Sequence, residues 1–561
     1  MNDSVLNPKV DKYFQLAILL LVGLPHLLIV FSHQKIVLNW FNTDDAFYYF
    51  KTAQNIVEGH GVSFDGIART NGFHPLWMVA LLPIFTLAKT DLILPLRLVI
   101  ALQAAWGLGS ALLLYQLGKT LCSRWVAFLM ALVWAFTPVI HEVVFKGGTE
   151  AGLNAFFLVL LLWQFYLLSE QLARGEINFS RIVAVGGIAA LTLLSRLDNV
   201  FLVFILGGWL LLRFWRPPKA EFVKNFATFQ WWLKLGSAYF APLVTTLGVY
   251  LLVNQIYFGS AMPVSGKVKR WWGTLKFTVY GNPPKNTRDF FEEFFSASDS
   301  TGPWSIVMSP LQQFSSWLSA LDPGMHLFWS GVGLILLGLL IFLLLRNRKF
   351  VAAAFWRWNL IPLLAACLVQ IVYYKAFGHI AQKGWYWVAE MLFIVLLLGL
   401  ILEVLAFEIQ RFPSGYRLVA FSASLLAAII FWPTAQTDYQ VLTFSPSPDE
   451  HYYLQRAHFL EENTEPGSLI GMTGSGSSGY FVRDRTIVNL DGLINSMEYF
   501  IRLQNATADE YLASIGLDYV FGNAYILQNT NPYQWNFDNR LDEFRDFEVD
   551  DEKTLVLFRF H

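Results

Sequence analysis

Two adjacent carboxylates, Asp44 and Asp45, follow the first long apolar run of the chain, inside Asn42-Thr43-Asp44-Asp45-Ala46-Phe47-Tyr48-Tyr49-Phe50. Paired acids beside a bilayer are electrostatically costly unless they hold a cation, a proton or a substrate hydroxyl. Thr43 or Asp44 can also cap the helix that follows, so capping and solvation alone would account for one of the two. Further along, Glu150 stands beside Gly147 and Gly148, and Arg196 and Asp198 interrupt apolar sequence. Charge at membrane depth is by default a functional candidate, although Arg196 and Asp198 could form a purely structural pair. His74 precedes Pro75 and could simply end a loop, while Lys267, Lys269 and Arg270 could meet anionic headgroups.

Other conspicuous residues carry less. Trp271, Trp272, Trp385, Tyr386 and Trp387 read as an aromatic belt at the membrane interface. Gly474-Ser475-Gly476-Ser477-Ser478-Gly479 follows a strand-like run but lacks a Gly-Lys-Ser/Thr ending, so it reads as a connecting turn rather than a phosphate loop. Cys122 and Cys367 are the only cysteines and lie in or beside apolar runs, which leaves neither a disulfide framework nor a thiolate metal site. A net charge of −1 without long blocks of one sign argues against a nucleic-acid partner.

The elements that must position these groups are membrane helices. The chain is 55% hydrophobic and 14% charged over 561 residues, too apolar for one soluble core. A span needs roughly 17 to 25 apolar residues. With the basic connectors at 119–124, 174–181, 213–219, 346–357 and 411–417 inside, about eleven spans are expected. These are Leu16–Phe31, Leu98–Leu117, Trp125–Ile140, Leu153–Leu168, Ile182–Leu194, Val200–Leu212, Ala238–Tyr257, Leu327–Leu345, Leu360–Tyr374, Trp385–Phe407 and Leu418–Trp432. Leu76–Leu87 is too short and reads as juxtamembrane or re-entrant. The expected protein is therefore multi-pass in the plasma (inner) membrane, with the N-terminus cytoplasmic. A transmembrane domain over 1–433 carries outer loops at 42–96 and 259–325, and an extracytoplasmic α/β domain covers 434–561. In that tail, Glu450–Asn463 reads as helix and Leu469–Met472, Thr486–Leu490, Tyr519–Gly522 and Thr554–Phe560 as strands.

Asp44-Asp45-Ala46-Phe47-Tyr48-Tyr49, Asn55-Ile56-Val57-Glu58-Gly59-His60-Gly61 and Thr70-Asn71 with Pro75-Leu76-Trp77 resemble the first external loop of the GT-C glycosyltransferases, nearest to the branch of terminal arabinofuranosyltransferases of the mycobacterial envelope and their bacterial relatives. Gly72-Phe73-His74 is an insertion relative to that pattern. Gly147-Gly148-Thr149-Glu150-Ala151-Gly152-Leu153, Ser195-Arg196-Leu197-Asp198, the loop Tyr257–Lys267, Gly479-Tyr480-Phe481 and Asn489-Leu490-Asp491-Gly492-Leu493 continue the resemblance in order. It implies transfer of a sugar, with inversion, from a polyprenyl-phosphate donor to an envelope glycan or lipid acceptor outside the cytoplasm. Asp44 would be the general base with Asp45 as its neighbour. His74, Lys267 and Lys269 would offset the departing lipid phosphate, and Glu150, Arg196 and Asp198 would complete the substrate site. Some GT-C branches hold a divalent ion, and Asp44, Asp45 and Glu150 could ligate one. A single carboxylate after Gly148 points instead to no metal and no other cofactor. Transfer to a protein hydroxyl or amide, as in the protein mannosyltransferase and oligosaccharyltransferase branches, is the alternative within the class. A transporter or lipid flippase is the alternative outside it, against which stands the lack of visible internal symmetry.

Overall fold

Long apolar runs bounded by charged connectors fold as helices because lipid cannot satisfy an open backbone. The computed structural model describes residues 8–41, 43–216, 225–280, 286–289, 302–308, 311–312, 315–316, 326–376, 383–443, 451–537, 539–550 and 553–561. Among them, six helices are long and apolar enough to cross a membrane: Val10–Val30, Leu94–Gly118, Ala151–Ala173, Thr228–Phe258, Val388–Ile409 and Arg417–Gln436. The number rises to 8 if two bent pairs each count as one span. One pair bends by 54° between Phe136 and Pro138, where the proline lacks the N–H that would continue the helix. The other turns by 77° between Gly331–Arg346 and Arg348–Arg357.

Each of the predicted spans overlaps a helix, but length alone gives 6 to 8 crossings rather than about eleven. The difference lies in helices shorter than a bilayer, such as Phe179–Ser195 and Leu360–Lys375. Phe179–Ser195 and Val200–Arg213 are separate helices joined by a turn over Leu197–Asn199. The break is held by the Asn199 amide, which donates to the Thr192 carbonyl at 2.8 Å and to Asn154 Oδ1 at 2.7 Å. Parts of the loop predicted over 259–325 lie outside the described residues, as does Glu450; the part that positions the site is the helix Val264–Trp272.

The tail folds around a five-stranded sheet: β1 (Leu469–Met472), β2 (Thr486–Asn489), β3 (Tyr519–Asn523), β4 (Leu541–Asp550) and β5 (Lys553–Phe560), in the order β2-β1-β3-β5-β4. β2, β1 and β3 are parallel, while β5 runs antiparallel to β3 and β4 to β5. The sequence reading missed β4, which is acidic and bulged between Glu543 and Arg545, both features that protect an edge strand from pairing further. The helix Gly415–Thr443 runs through Pro433, so the boundary expected at 433 falls within a helix.

A single apolar cluster joins the tail to the first loop. Phe41, Phe47, Phe50 and Phe64 pack with Ile470, Tyr480, Phe481 and Phe521. The helices Asp45–Glu58 and Pro75–Leu87 are thus gripped from above by the tail, which fixes the acidic pair over the membrane helices.

Candidate active site

Asp44 and Asp45 start the same helix but face different surroundings. Asp44 makes no side-chain cap on its own helix. Its Oδ2 instead accepts the Gly476 N–H at 2.7 Å, and its Oδ1 accepts the Ser477 N–H at 2.8 Å and the Ser477 hydroxyl at 2.6 Å. Arg456 adds an ion pair at 3.4 Å. The Gly474–Gly479 turn therefore binds an anion, and that anion is Asp44. Only glycine fits at 476, because a Cβ there would lie 2.2 Å from the Asp44 carbonyl oxygen.

The Asp45 N–H donates to Thr43 Oγ1 at 3.3 Å, but its carboxylate accepts no hydrogen bond among the described residues and lines two cavities. Burial raises its pKa above the ordinary value; Lys269 and Lys383 oppose that rise, and Asp44 and Asp491 add to it.

Below the acidic pair, Arg196 organises a buried polar network. Its guanidinium bonds Glu150 Oε1 through Nη1, and reaches Asp198 Oδ2 at 2.7 Å through Nη2. Tyr49 donates to Glu150 Oε2 at 2.8 Å and Tyr374 to Asp198 Oδ2 at 2.8 Å. His74 Nε2 lies 3.6 Å from Glu150 Oε1. Burial alone would raise the pKa of Glu150, but His74 and Arg196 outweigh it and hold the carboxyl below its ordinary range. Asp198 is likewise held down by Arg196 against the effect of burial. Burial lowers the His74 pKa against the pull of Glu150, and its Nδ1 is buried without a partner among the described residues. Lys269 donates to Tyr386 Oη at 2.6 Å, and Arg196 sits over the Tyr386 ring at 5.0 Å. Among the described residues the Lys267 ammonium makes only a 3.9 Å contact with Met497 Sδ.

A third carboxylate comes from the tail. Asp491 accepts from Tyr48 at 3.2 Å, the Gly474 N–H at 2.9 Å, Tyr280 at 3.3 Å and Tyr533 at 2.8 Å. It ties together the first loop, the second loop and the tail. Gly72, part of the insertion, meets the tail from the other side: a Cβ there would be 2.0 Å from the Leu493 carbonyl oxygen.

Three cavities run in series through these groups. The outer one, about 580 Å³, is lined by Asp45, Lys269, Trp272, Tyr280 and Asp491. A narrow one of about 70 Å³ follows, between Asp45, His74, Glu150, Arg196 and Tyr386. The inner one, about 350 Å³, combines Val200, Phe201 and Tyr373 with Arg196, Lys267 and Arg270. Lys269 lines all three.

All eight predicted residues thus border or brace one site. Tyr386 was misassigned to an interface belt: it is buried and positions Lys269 and Arg196. Asp491, Tyr48, Tyr49, Tyr280 and Tyr374 went unremarked as site residues. Asp491 lies within the Asn489–Leu493 motif, and Tyr48 and Tyr49 within the Asp44–Tyr49 motif, which were the signals available; Tyr280 and Tyr374 had none. The three acids weighed as metal ligands diverge, Asp44 toward the tail turn and Glu150 onto Arg196. Among the described residues no three His, Cys, Asp or Glu side chains gather as a metal site.

A helical membrane protein with a small mixed sheet clamped over one face, and a polar site at the junction, is the class this architecture defines. A family model described as a domain of unknown function (DUF8728) matches residues 403–555. No curated protein matches the chain. Among solved structures it is similar to the Archaeoglobus fulgidus oligosaccharyltransferase tethered with an acceptor peptide, at TM-score 0.50 and 13% identity, covering 98% of this chain and 74% of that one. It is also similar to ArnT from Cupriavidus metallidurans bound to undecaprenyl phosphate, at TM-score 0.50 and 10% identity, covering 99% and 98%. At such identities the likeness is one of fold: a body of apolar helices with a small C-terminal sheet.

Proposed function

We propose that this protein is a glycosyltransferase that moves a sugar from a polyprenyl-phosphate donor to an envelope glycan or glycolipid, with Asp45 as general base. The observation that carries this reading is the contrast within the acidic pair. Asp44 is saturated by four donors, whereas the Asp45 carboxylate accepts no hydrogen bond among the described residues, has a raised pKa and borders both the outer and the narrow cavity. A base needs a free lone pair within reach of the proton it takes.

In the reaction, Asp45 accepts the proton of an acceptor hydroxyl as that oxygen bonds to the anomeric carbon. The bond from that carbon to the phosphate oxygen breaks, releasing prenyl phosphate and inverting the configuration. Lys269, Lys267, Arg270 and Arg196 line the inner cavity and are suited to offset the phosphate charge. Its apolar wall of Val200, Phe201 and Tyr373 suits the first units of a prenyl chain. The ArnT structure bound to undecaprenyl phosphate supports that choice of donor. In the outer cavity, Trp272 and Tyr280 stack at 3.6 Å beside Asp45 and Asp491, an aromatic face with nearby acceptors that suits a saccharide. A polypeptide acceptor is the second reading, favoured by the likeness to an oligosaccharyltransferase. The order of the sequence motifs favours the arabinofuranosyltransferase-like branch.

The test compares two purified variants with prenyl-phosphate sugar. Asp45→Asn should lose roughly 10²–10⁴ in kcat while extracting and melting like wild type. Asp44→Asn should retain more activity but melt earlier, because an amide offers one acceptor where the turn needs two. The reverse pattern would return the base to Asp44.

A further inference from the structure

The helix Ala151–Ala173 has Glu150 at one end and Arg174 at the other, and its 23 residues span about 35 Å. The Arg174 end therefore lies at the opposite membrane face from the candidate active site. A cavity of about 320 Å³ opens there, lined by Tyr166, Glu170, Gln171, Arg174, Arg181 and Arg357. Arg357 is paired with Glu170 at 3.0 Å and bonded by Nη2 to Tyr166 at 3.1 Å. Arg174 is paired with Glu176 at 3.0 Å, outside the cavity. Among the described residues the Arg181 guanidinium meets no carboxylate: its one hydrogen bond is to Gln164 Oε1 at 3.4 Å, and its Nε is buried without a partner. Three guanidinium groups thus face one lining carboxylate, an excess of positive charge in a half-enclosed space that calls for an anion.

Its surroundings indicate where that anion comes from. Arg357 ends the Arg348–Arg357 helix, which turns 77° from the apolar helix before it and so lies along the membrane surface if that helix crosses. The adjacent Trp356 is 46% exposed, as suits an interfacial anchor. Leu167 lines the cavity, and Ile177 and Phe179, which fall between Arg174 and Arg181 in the chain, expose apolar side chains. We propose that this arginine cavity binds the phosphate of an anionic phospholipid at the face opposite the candidate active site. The guanidinium groups grip the phosphate oxygens, and the acyl chains leave along the apolar rim.

The test uses the full-length protein in nanodiscs of phosphatidylcholine with or without phosphatidylglycerol, followed by native mass spectrometry and thermal melting. One phosphatidylglycerol should be retained in preference to phosphatidylcholine, with a higher melting temperature. Arg174→Gln combined with Arg181→Gln should weaken retention by roughly fivefold per arginine and abolish the melting shift. Arg181→Lys, which keeps the charge, should retain most of the binding. If the double variant does not fold, Arg181→Gln alone carries the test, since it breaks no ion pair. Inorganic phosphate added to detergent-solubilised protein should leave the melting temperature unchanged. Equal retention of the two lipids, undiminished retention by a folded Arg181→Gln variant, or a phosphate-induced shift matching that of the lipid would each overturn the assignment.

Discussion

Asp45 is the group whose protonation the proposed reaction reads. Because burial raises its pKa, the basic form is lost on acidification sooner than for an exposed aspartate, whose pKa is about 3.9. The kcat/KM for transfer should therefore fall with decreasing pH through a midpoint above that value, and Asp45→Asn should remove that limb of the profile. A midpoint at or below the exposed value would detach the rate from Asp45. Burial lowers the His74 pKa as well, so loss of the limb in Asp45→Asn, rather than its midpoint alone, assigns it to Asp45. The contribution of His74 is an imidazole held against Glu150.

At the scale of elements, Arg196 is where several helices meet. Glu150 precedes the helix Ala151–Ala173, Asp198 lies in the turn between two shorter helices, Tyr374 is in Leu360–Ala376, and Tyr386 precedes Val388–Ile409. Arg196→Met would strand two buried carboxylates, and breaking a buried pair in this way costs about 3–5 kcal/mol. It should lower the melting temperature in detergent sharply, whereas Lys267→Met, with only a sulfur contact, should leave it nearly unchanged. The network also sets an acid limit. Glu150 and Asp198 have folded-state pKa values below their unfolded ones, so their stabilisation is complete above the ordinary carboxylate range and is lost as pH falls through the lowered values. Wild type should keep its melting temperature down to about pH 4, and a network without Arg196 should begin to fail above that.

The whole molecule depends on an exchange of carboxylates between its two parts. Asp44 of the first loop seats in the tail turn, and Asp491 of the tail holds Tyr48 of the first loop and Tyr280 of the second. The outer cavity has walls from both parts, so a small displacement of the tail opens it. Gly476→Val forces a Cβ against the Asp44 carbonyl and should cost about 10²-fold in transfer, the scale of a displacement near 1 Å, with far-UV circular dichroism unchanged. Gly331→Ala, which meets nothing within 4 Å, is the control and should be silent. Equal activities in the two variants would show that the tail does not build the site.

Much of this protein could be read from its residues in order. Apolar length and flanking charge located the helices, because a bilayer imposes both, and β1, β2, β3 and β5 were visible as short apolar runs between turns. Asp44, Asp45, Glu150, Arg196 and Lys269 stood out because charge beside a membrane needs a reason. The sequence could not say which of two neighbouring aspartates is free. That depends on a turn more than 430 positions away, whose N–H groups claim one carboxylate and leave the other open. Nor could it separate Tyr386 from the aromatics of an interface belt, since a tyrosine that grips a lysine and one that rests among headgroups have the same sequence context. β4 escaped because edge strands are charged for protection, which erases the alternation by which strands are recognised. Local sequence determined the elements and the stock of charged groups; tertiary contact alone decided which groups neutralise one another and which remain available for chemistry.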